Sequence, residues 1–266
     1  MEESYFAESE LTRVESHFLR GRNVLLTRAD FSPLLGQWRG HMSDNHLAPP
    51  QELLTMFQRA LACFTLHCVS QPRRQALSWT INFQEPLMNL FLVGDTDDDT
   101  VAGRVFTEGV AEADHNSFYQ EVGKSGQDPY RSYIDFEGRD PLLAAQEYYQ
   151  RSEQRPARFF ALSDTQYALL TAHPDWNRDW FYRVQPEDVM LLDEREDLHH
   201  IETRKIRWNC GCSDVRIFAA LEPIFRHQAD ELFGGDDVIA VNCPRCSAKY
   251  GVTREALEGW CALRDR

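Results

Sequence analysis

Apolar residues recur along this chain with two periods, and the switches between them mark its elements. Leu54, Phe57, Leu61, Phe64 and Cys68 follow three- and four-residue steps behind Pro49-Pro50. That spacing predicts a helix with one buried face, ended by Gln71-Pro72. Short apolar runs then predict strands at Leu77–Phe83, Met88–Val93, Val101–Thr107 and Ser132–Phe136. The polar cluster Gly94–Thr100 makes the turn between the second and third of these. Upstream, residues 5–20 read as a weakly amphipathic opening and Asn23–Thr27 as a strand. Pro141 opens a helix from Leu142 to about Glu153, closed before Pro156. Phe159–Leu162 and Tyr167–Thr171 read as a final pair of strands. Strands and helices do not alternate regularly, so the predicted class is α+β, with a mixed sheet and helix core, rather than a doubly wound sheet.

After His173 the pattern breaks. Pro174, Trp176, Trp180, Phe181 and Tyr182 crowd together, Gln185-Pro186-Glu187-Asp188 starts a short helix, and Asp193–Asp197 is densely charged. This predicts three parts: a core domain over 1–174, a short helical linker over 175–206, and a small C-terminal module over 207–266. Inside the module, Ser213 is placed to cap a helix over Asp214–Leu221. Pro223 restarts a segment to Leu232, which Gly234-Gly235 stop. Val238–Val241 and Lys249–Val252 read as a hairpin, and Thr253 caps a last helix through Arg264.

The 266 residues carry a formal net charge of -14, which discourages contact with nucleic acid or anionic lipid. The opening MEESYFAESELTR lacks the basic start and apolar run of a signal peptide, and no stretch approaches about eighteen apolar residues. The expected place is the cytosol, without membrane or nucleic-acid partners. There, the seven cysteines read as thiols or metal ligands rather than structural disulfides.

Four of them are paired: Cys210-Gly211-Cys212, thirty residues, then Cys243-Pro244-Arg245-Cys246. Zinc takes four thiolates at about 2.3 Å in a closed tetrahedral site. A C-x-x-C turn lets both sulfurs face one ion, and Gly211 relieves crowding in the tighter C-x-C. The pattern therefore predicts one Zn2+ held by Cys210, Cys212, Cys243 and Cys246. The same ligand set serves an iron–sulfur cluster, and four unrelated buried thiols are the plain alternative.

The motif resembles the zinc signature of the heat-shock protein 33 family, the redox-regulated chaperonin. Cys212-Ser213 and Cys243–Tyr250 are similar to that family in style, as is the upstream segment Glu147-Tyr148-Tyr149-Gln150-Arg151-Ser152-Glu153-Gln154-Arg155-Pro156. Gly21-Arg22-Asn23-Val24 matches more weakly, and the order of the three agrees. The resemblance implies a holdase chaperone, not an enzyme, inactive while zinc is bound and the thiols are reduced. It implies that oxidants convert the ligands to disulfides, Cys210 with Cys212 and Cys243 with Cys246, and expel the zinc. The module then unfolds, the linker loosens and apolar surface binds unfolding client proteins, with an oxidation-dependent homodimer. Trp176, Trp180, Phe181 and Tyr182 are the candidate client-binding residues, or else the packing face between linker and core.

Other constellations are plainer. Asp95, Asp97 and Asp99 alternate like a calcium loop, but Thr100 and Phe106 stand where glycine and glutamate are needed, so an acidic turn is expected. His199-His200 beside Asp197 and Glu202 reads as solvated linker. Cys63, Cys68 and Cys261 are expected in packed interiors. Ser152-Glu153-Gln154 is expected to be architectural, with Glu153 and Gln154 bonding the backbone that follows. No G-x-S-x-G, P-loop or glycine-rich dinucleotide turn occurs. The rival functions are a zinc-stabilised interaction or regulatory protein without redox gating and a nucleic-acid-binding zinc ribbon, the latter opposed by the acidity.

Overall fold

The computed structural model describes residues 8–264. After one 3-10 turn, Glu8–Glu10, come β1 (Thr12–Leu19), β2 (Val24–Asp30), α1 (Ser32–Asp44) and α2 (Gln51–Ser70). Then follow β3 (Gln75–Gln84), β4 (Leu87–Asp95), β5 (Thr100–Phe106), β6 (Asn116–Lys124) and β7 (Tyr130–Phe136). α3 (Pro141–Arg151), β8 (Ala157–Ala161) and β9 (Gln166–Ala172) precede three short helices, α4 (Arg178–Arg183), α5 (Pro186–Met190) and α6 (Leu192–Arg195). β10 (Leu198–Trp208), α7 (Asp214–Phe233), β11 (Val238–Asn242), β12 (Lys249–Thr253) and α8 (Arg254–Arg264) complete the chain. The class is α+β, as the patterning predicts.

Ten strands form one sheet in the order β7-β6-β3-β4-β5-β10-β1-β2-β9-β8, and β11-β12 form a separate hairpin. Every ladder is antiparallel except β5–β10, which joins the two halves of the large sheet in parallel through Thr100–Arg207 and Val101–Trp208. Period-two alternation divides the interior. Phe159 and Leu169 pack into the main core under α1, α2 and α3, while their neighbours Phe160 and Leu170 enter a second cluster on the opposite face. α4–α6 cover that second cluster with Phe181, Val184, Val189 and Leu192. Each such side chain, fully buried, contributes about 1.5–3 kcal/mol.

α2 is the central helix of the main core. By length and composition it could cross a membrane, yet 72% of its most apolar window is buried inside the protein, as a core helix requires. Cys63 and Cys68 lie on it, buried as expected.

The sequence-based reading departs from the fold in four places. The stretch 175–206, expected as a linker, holds α4–α6 and most of β10, and β10 lies inside the large sheet between β5 and β1. Its charges hid it: Arg204, the one charged residue of β10 that is buried, is fully paired. It donates to the carbonyls of Thr96 (2.7 Å) and Cys68 (3.2 Å) and binds the Asp99 carboxylate. Helix α1 and strand β6 were missed because polar residues interrupt their patterns; α1 buries only Leu34, Leu35 and Trp38. α7 does not break at Pro223 but runs through it and leaves helical angles at Gln228 (φ -144°, ψ 44°). Finally, Glu153 does not bond the following backbone. Its carboxylate accepts from Tyr148 and from Gln120 of β6, both at 3.3 Å, and so ties the end of α3 to the sheet.

Candidate metal centre

Cys210 follows the last residues of β10, and Cys212 precedes the Ser213 cap of α7, whose hydroxyl accepts from Arg216 N. Gly211 between them has φ +66°, the left-handed region, and a Cβ there would stand 3.0 Å from the Arg216 guanidinium. The backbone favours glycine there, while the guanidinium ends a flexible side chain that can give way. Cys243 and Cys246 occupy the turn between β11 and β12. Cys243 N donates to Ala248 O at 2.8 Å and Ser247 N to Cys243 O at 2.9 Å, which closes the turn around its two thiols.

The fold brings all four sulfurs within 4.8 Å of one another. Cys210 to Cys243 is 3.7 Å and Cys212 to Cys246 is 3.6 Å. Four ligands at the zinc–thiolate distance, arranged tetrahedrally, stand about 3.8 Å apart, so the donor set and its spacing fit such an ion. Cys210, Cys243 and Cys246 are buried and Cys212 is partly exposed. The protons are shared unequally. Hydrogen bonds from Cys210 and Cys246 hold the Cys212 thiol far below its ordinary range. The bond to Cys212, with burial, pushes Cys210 up to about 12, and bonds to Cys210 and Cys212 raise Cys246. One thiolate in so small a volume suppresses others, and a dication would relieve that repulsion.

The cysteine knot is docked on the core rather than tethered to it. His41 Nε2 at the end of α1 bonds Cys246 O at 2.8 Å, as its donor because a carbonyl only accepts. Lys249 N donates to Asn45 Oδ1 at 2.9 Å, and Arg104 Nη1 of β5 donates to Cys243 O at 3.2 Å. Trp208 packs beside His41, ring centres 5.5 Å apart. A cleft of about 380 Å³ opens alongside, between Trp38, Leu54, Phe57, Arg104 and Cys246. His41, Asn45 and Arg104 lie far from the cysteines in sequence, and no spacing rule could have found them.

The aromatic group is divided. Phe181 is fully buried in the second cluster, Trp176 and Trp180 pack against it half-buried, and Tyr182 is 50% exposed. His199 and His200 lie on β10. Asp95 accepts from the backbone of Asp97 (2.8 Å) and Asp98 (3.1 Å), an acidic turn. Cys261 is buried in α8.

A family model described as Hsp33 protein matches residues 164–253. The 33 kDa chaperonin of Nitrosococcus oceani is 25% identical over 158 residues, 52% of this chain and 55% of that protein. The 33 kDa chaperonin of Methylobacillus flagellatus is 26% identical over 150 residues, 48% of this chain and 51% of that protein. The match thus spans about half the length of these relatives. The crystal structure of the 33 kDa chaperonin from Thermotoga maritima, a heat shock protein 33 homolog, superposes with a TM-score of 0.71 over 96% of this chain and 99% of that one. At 15% identity that likeness concerns the fold. The sequence match over residues 164–253 and the shared fold point the same way: the chain resembles the Hsp33 family in its C-terminal third and has the fold of a heat shock protein 33 homolog along its length.

Proposed function

We propose that the protein is a cytosolic holdase chaperone whose client surface is gated by its four paired cysteines. The observation that carries this reading is the four-thiol cluster itself, packed in one knot and hydrogen-bonded to the core through His41, Asn45 and Arg104. Cys210, Cys212, Cys243 and Cys246 would hold one zinc ion, which supplies charge balance for the thiolates and a crosslink between two segments thirty residues apart.

In the reduced state the knot holds residues 207–264 together and covers the neighbouring part of β5 around Arg104. A peroxide oxidises a cysteine pair by taking two electrons from its thiolates: one S–S bond forms, the O–O bond breaks, and its two oxygens, taking two protons from solvent, leave as two waters, so the ion would lose two ligands per pair. The pairing follows the resemblance, Cys210 with Cys212 and Cys243 with Cys246. Apart from the knot, the module has only a small apolar cluster around Ile217, Phe233, Val252 and Leu257. A core of that size does not hold a fold alone. Its loosening deprives His41, Asn45 and Arg104 of their partners and frees the end of β10. The α4–α6 cover then lifts, and Phe181, Trp176, Trp180 and Tyr182 offer apolar surface to unfolding proteins, the bared surface also serving an oxidised homodimer.

A second reading, a zinc-stabilised interaction protein without redox gating, is favoured by one observation. Arg204 and the sheet hold β10 firmly in place, so a loosened module need not free the cover. One experiment separates the two. Zinc release and suppression of client aggregation are followed in the same peroxide-treated sample. The gated holdase is expected to lose zinc and suppress aggregation together. Zinc loss with aggregation as fast as in a blank would leave only the second reading.

A further inference from the structure

The face of the sheet beneath α4–α6 holds two histidines that the cysteine chemistry does not use. An extra residue in β10, Ile201, sets His200 opposite His17 of β1, which lies two residues from Leu19 and so on the face of the second cluster. Across the strands it meets His200 of β10, edge to face, ring centres 5.3 Å apart. His17 is 8% exposed, and its buried Nδ1 has no hydrogen-bond partner among the described residues. Four charged or titratable groups face it: Glu15 on β1, Arg28 on β2, His200 on β10 and Asp193 on α6. Arg28 in turn makes two 2.7 Å hydrogen bonds to Asp193, which pin α6 to the sheet.

We propose that His17 and His200 form a proton-operated catch for the α4–α6 cover: when both rings are protonated the cover lifts and bares the apolar cluster around Phe181, with the four cysteines still reduced. An imidazolium at His17 would be held out of water beside the Arg28 guanidinium, with a second imidazolium across the strand pair. Glu15 and Asp193 oppose this, but both Asp193 oxygens are already engaged by Arg28. Burial first, and Arg28 second, accordingly hold His17 below the ordinary histidine range. The bonds from Arg28 hold Asp193 below the carboxylate range, so the pin itself stays charged under mild acid. The sign follows. A histidine whose proton affinity is depressed in the closed state takes its proton more readily once the cover is open. Closed-state stability is therefore complete above the ordinary value of about 6.5 and erodes as pH falls through it towards the lower closed-state value.

The use of the bared surface for clients rests on the function proposed above; the lifting of the cover does not. The test takes the full chain, reduced and zinc-loaded, from about pH 7.5 to about pH 5.5, where histidine is the side chain that ordinarily changes charge. Fluorescence of an apolar dye, hydrogen exchange over residues 178–195 corrected for its intrinsic pH dependence, and zinc content are read together. Dye fluorescence and exchange are expected to rise severalfold while zinc stays bound. His17→Phe, neutral at every pH, is expected to abolish the rise. Should that variant not fold, His200→Gln serves, with its midpoint lowered by at least ~0.5 pH unit because one of the two charges is missing. An unchanged rise in either variant, no rise in the parent protein, or a rise that tracks zinc loss overturns the catch. Client aggregation is measured in parallel: a dye response without suppression leaves the catch standing and removes the client role instead.

Discussion

Arg204 brings a charge into the interior, its side chain only 1% exposed, and every direction it points in meets an acceptor. Its partners are not left bare without it, because Arg73 also donates to Asp99 and to the Thr96 carbonyl and Gln71 N to the Cys68 carbonyl. Arg204→Met is therefore expected to cost about 1–3 kcal/mol of stability in urea unfolding, the loss of charge-assisted hydrogen bonds rather than of a sole partner. Gly211 is the corresponding point in the knot. Forcing alanine into its left-handed backbone costs about 1–2 kcal/mol, so Gly211→Ala is expected to weaken zinc binding about tenfold in a chelator competition. The first of these residues was not legible in the sequence, since a buried arginine and a solvated one are written alike. The second was, because two ligands only two residues apart force a tight backbone turn, and glycine is the residue that tolerates one.

β10 and α1 show what patterning can and cannot tell about an element. β10 alternates His, Glu, Arg and Lys with few apolar residues, which reads as solvent-exposed linker. Only the neighbours β1 and β5 make it a central strand. α1 has a narrow apolar stripe, and its last turn serves the knot rather than the core, through His41 and Asn45. His41→Ala is expected to leave zinc content unchanged while removing one docking bond of about 1 kcal/mol. Hydrogen exchange in β11 and β12 should then speed up about fivefold. Equal exchange in the two proteins would mean that the knot is docked by packing alone. β3 and β4 were legible because alternate positions of each are buried, and α2 because its apolar spacing is helical, although it is buried on every side from Ala60 to Val69 rather than on the one face that spacing predicts.

At the scale of the molecule, two unequal cores meet at a single cluster of sulfurs. The main core under α1–α3 is large, and the C-terminal cluster around Phe233 and Leu257 is small. Chelation of the metal is therefore expected to melt the C-terminal module and leave the ten-stranded sheet folded. Metal binding to such modules is worth on the order of 10–16 kcal/mol, more than the small cluster can replace. Circular dichroism should show partial loss of structure on chelation, and hydrogen exchange should place that loss in 207–264. A single cooperative loss of the whole protein would show that the two cores are not energetically separate.

The sequence alone determined the α+β class, the elements with a regular buried face and the four cysteines that come together, because periodicity and ligand spacing are local properties of a chain. It also carried the resemblance to the Hsp33 family, through the paired cysteines and the segment around Ser152-Glu153-Gln154. Only the tertiary structure decided that residues 198–208 belong to the sheet, that Phe181 is buried while Tyr182 beside it is exposed, and that His41, Asn45 and Arg104 hold the knot. The same is true of His17 and His200, which lie on strands far apart in the chain and meet only through the β1–β10 register. Burial, charge pairing and cross-strand contact depend on what the rest of the chain places alongside, and that is not written in any one segment.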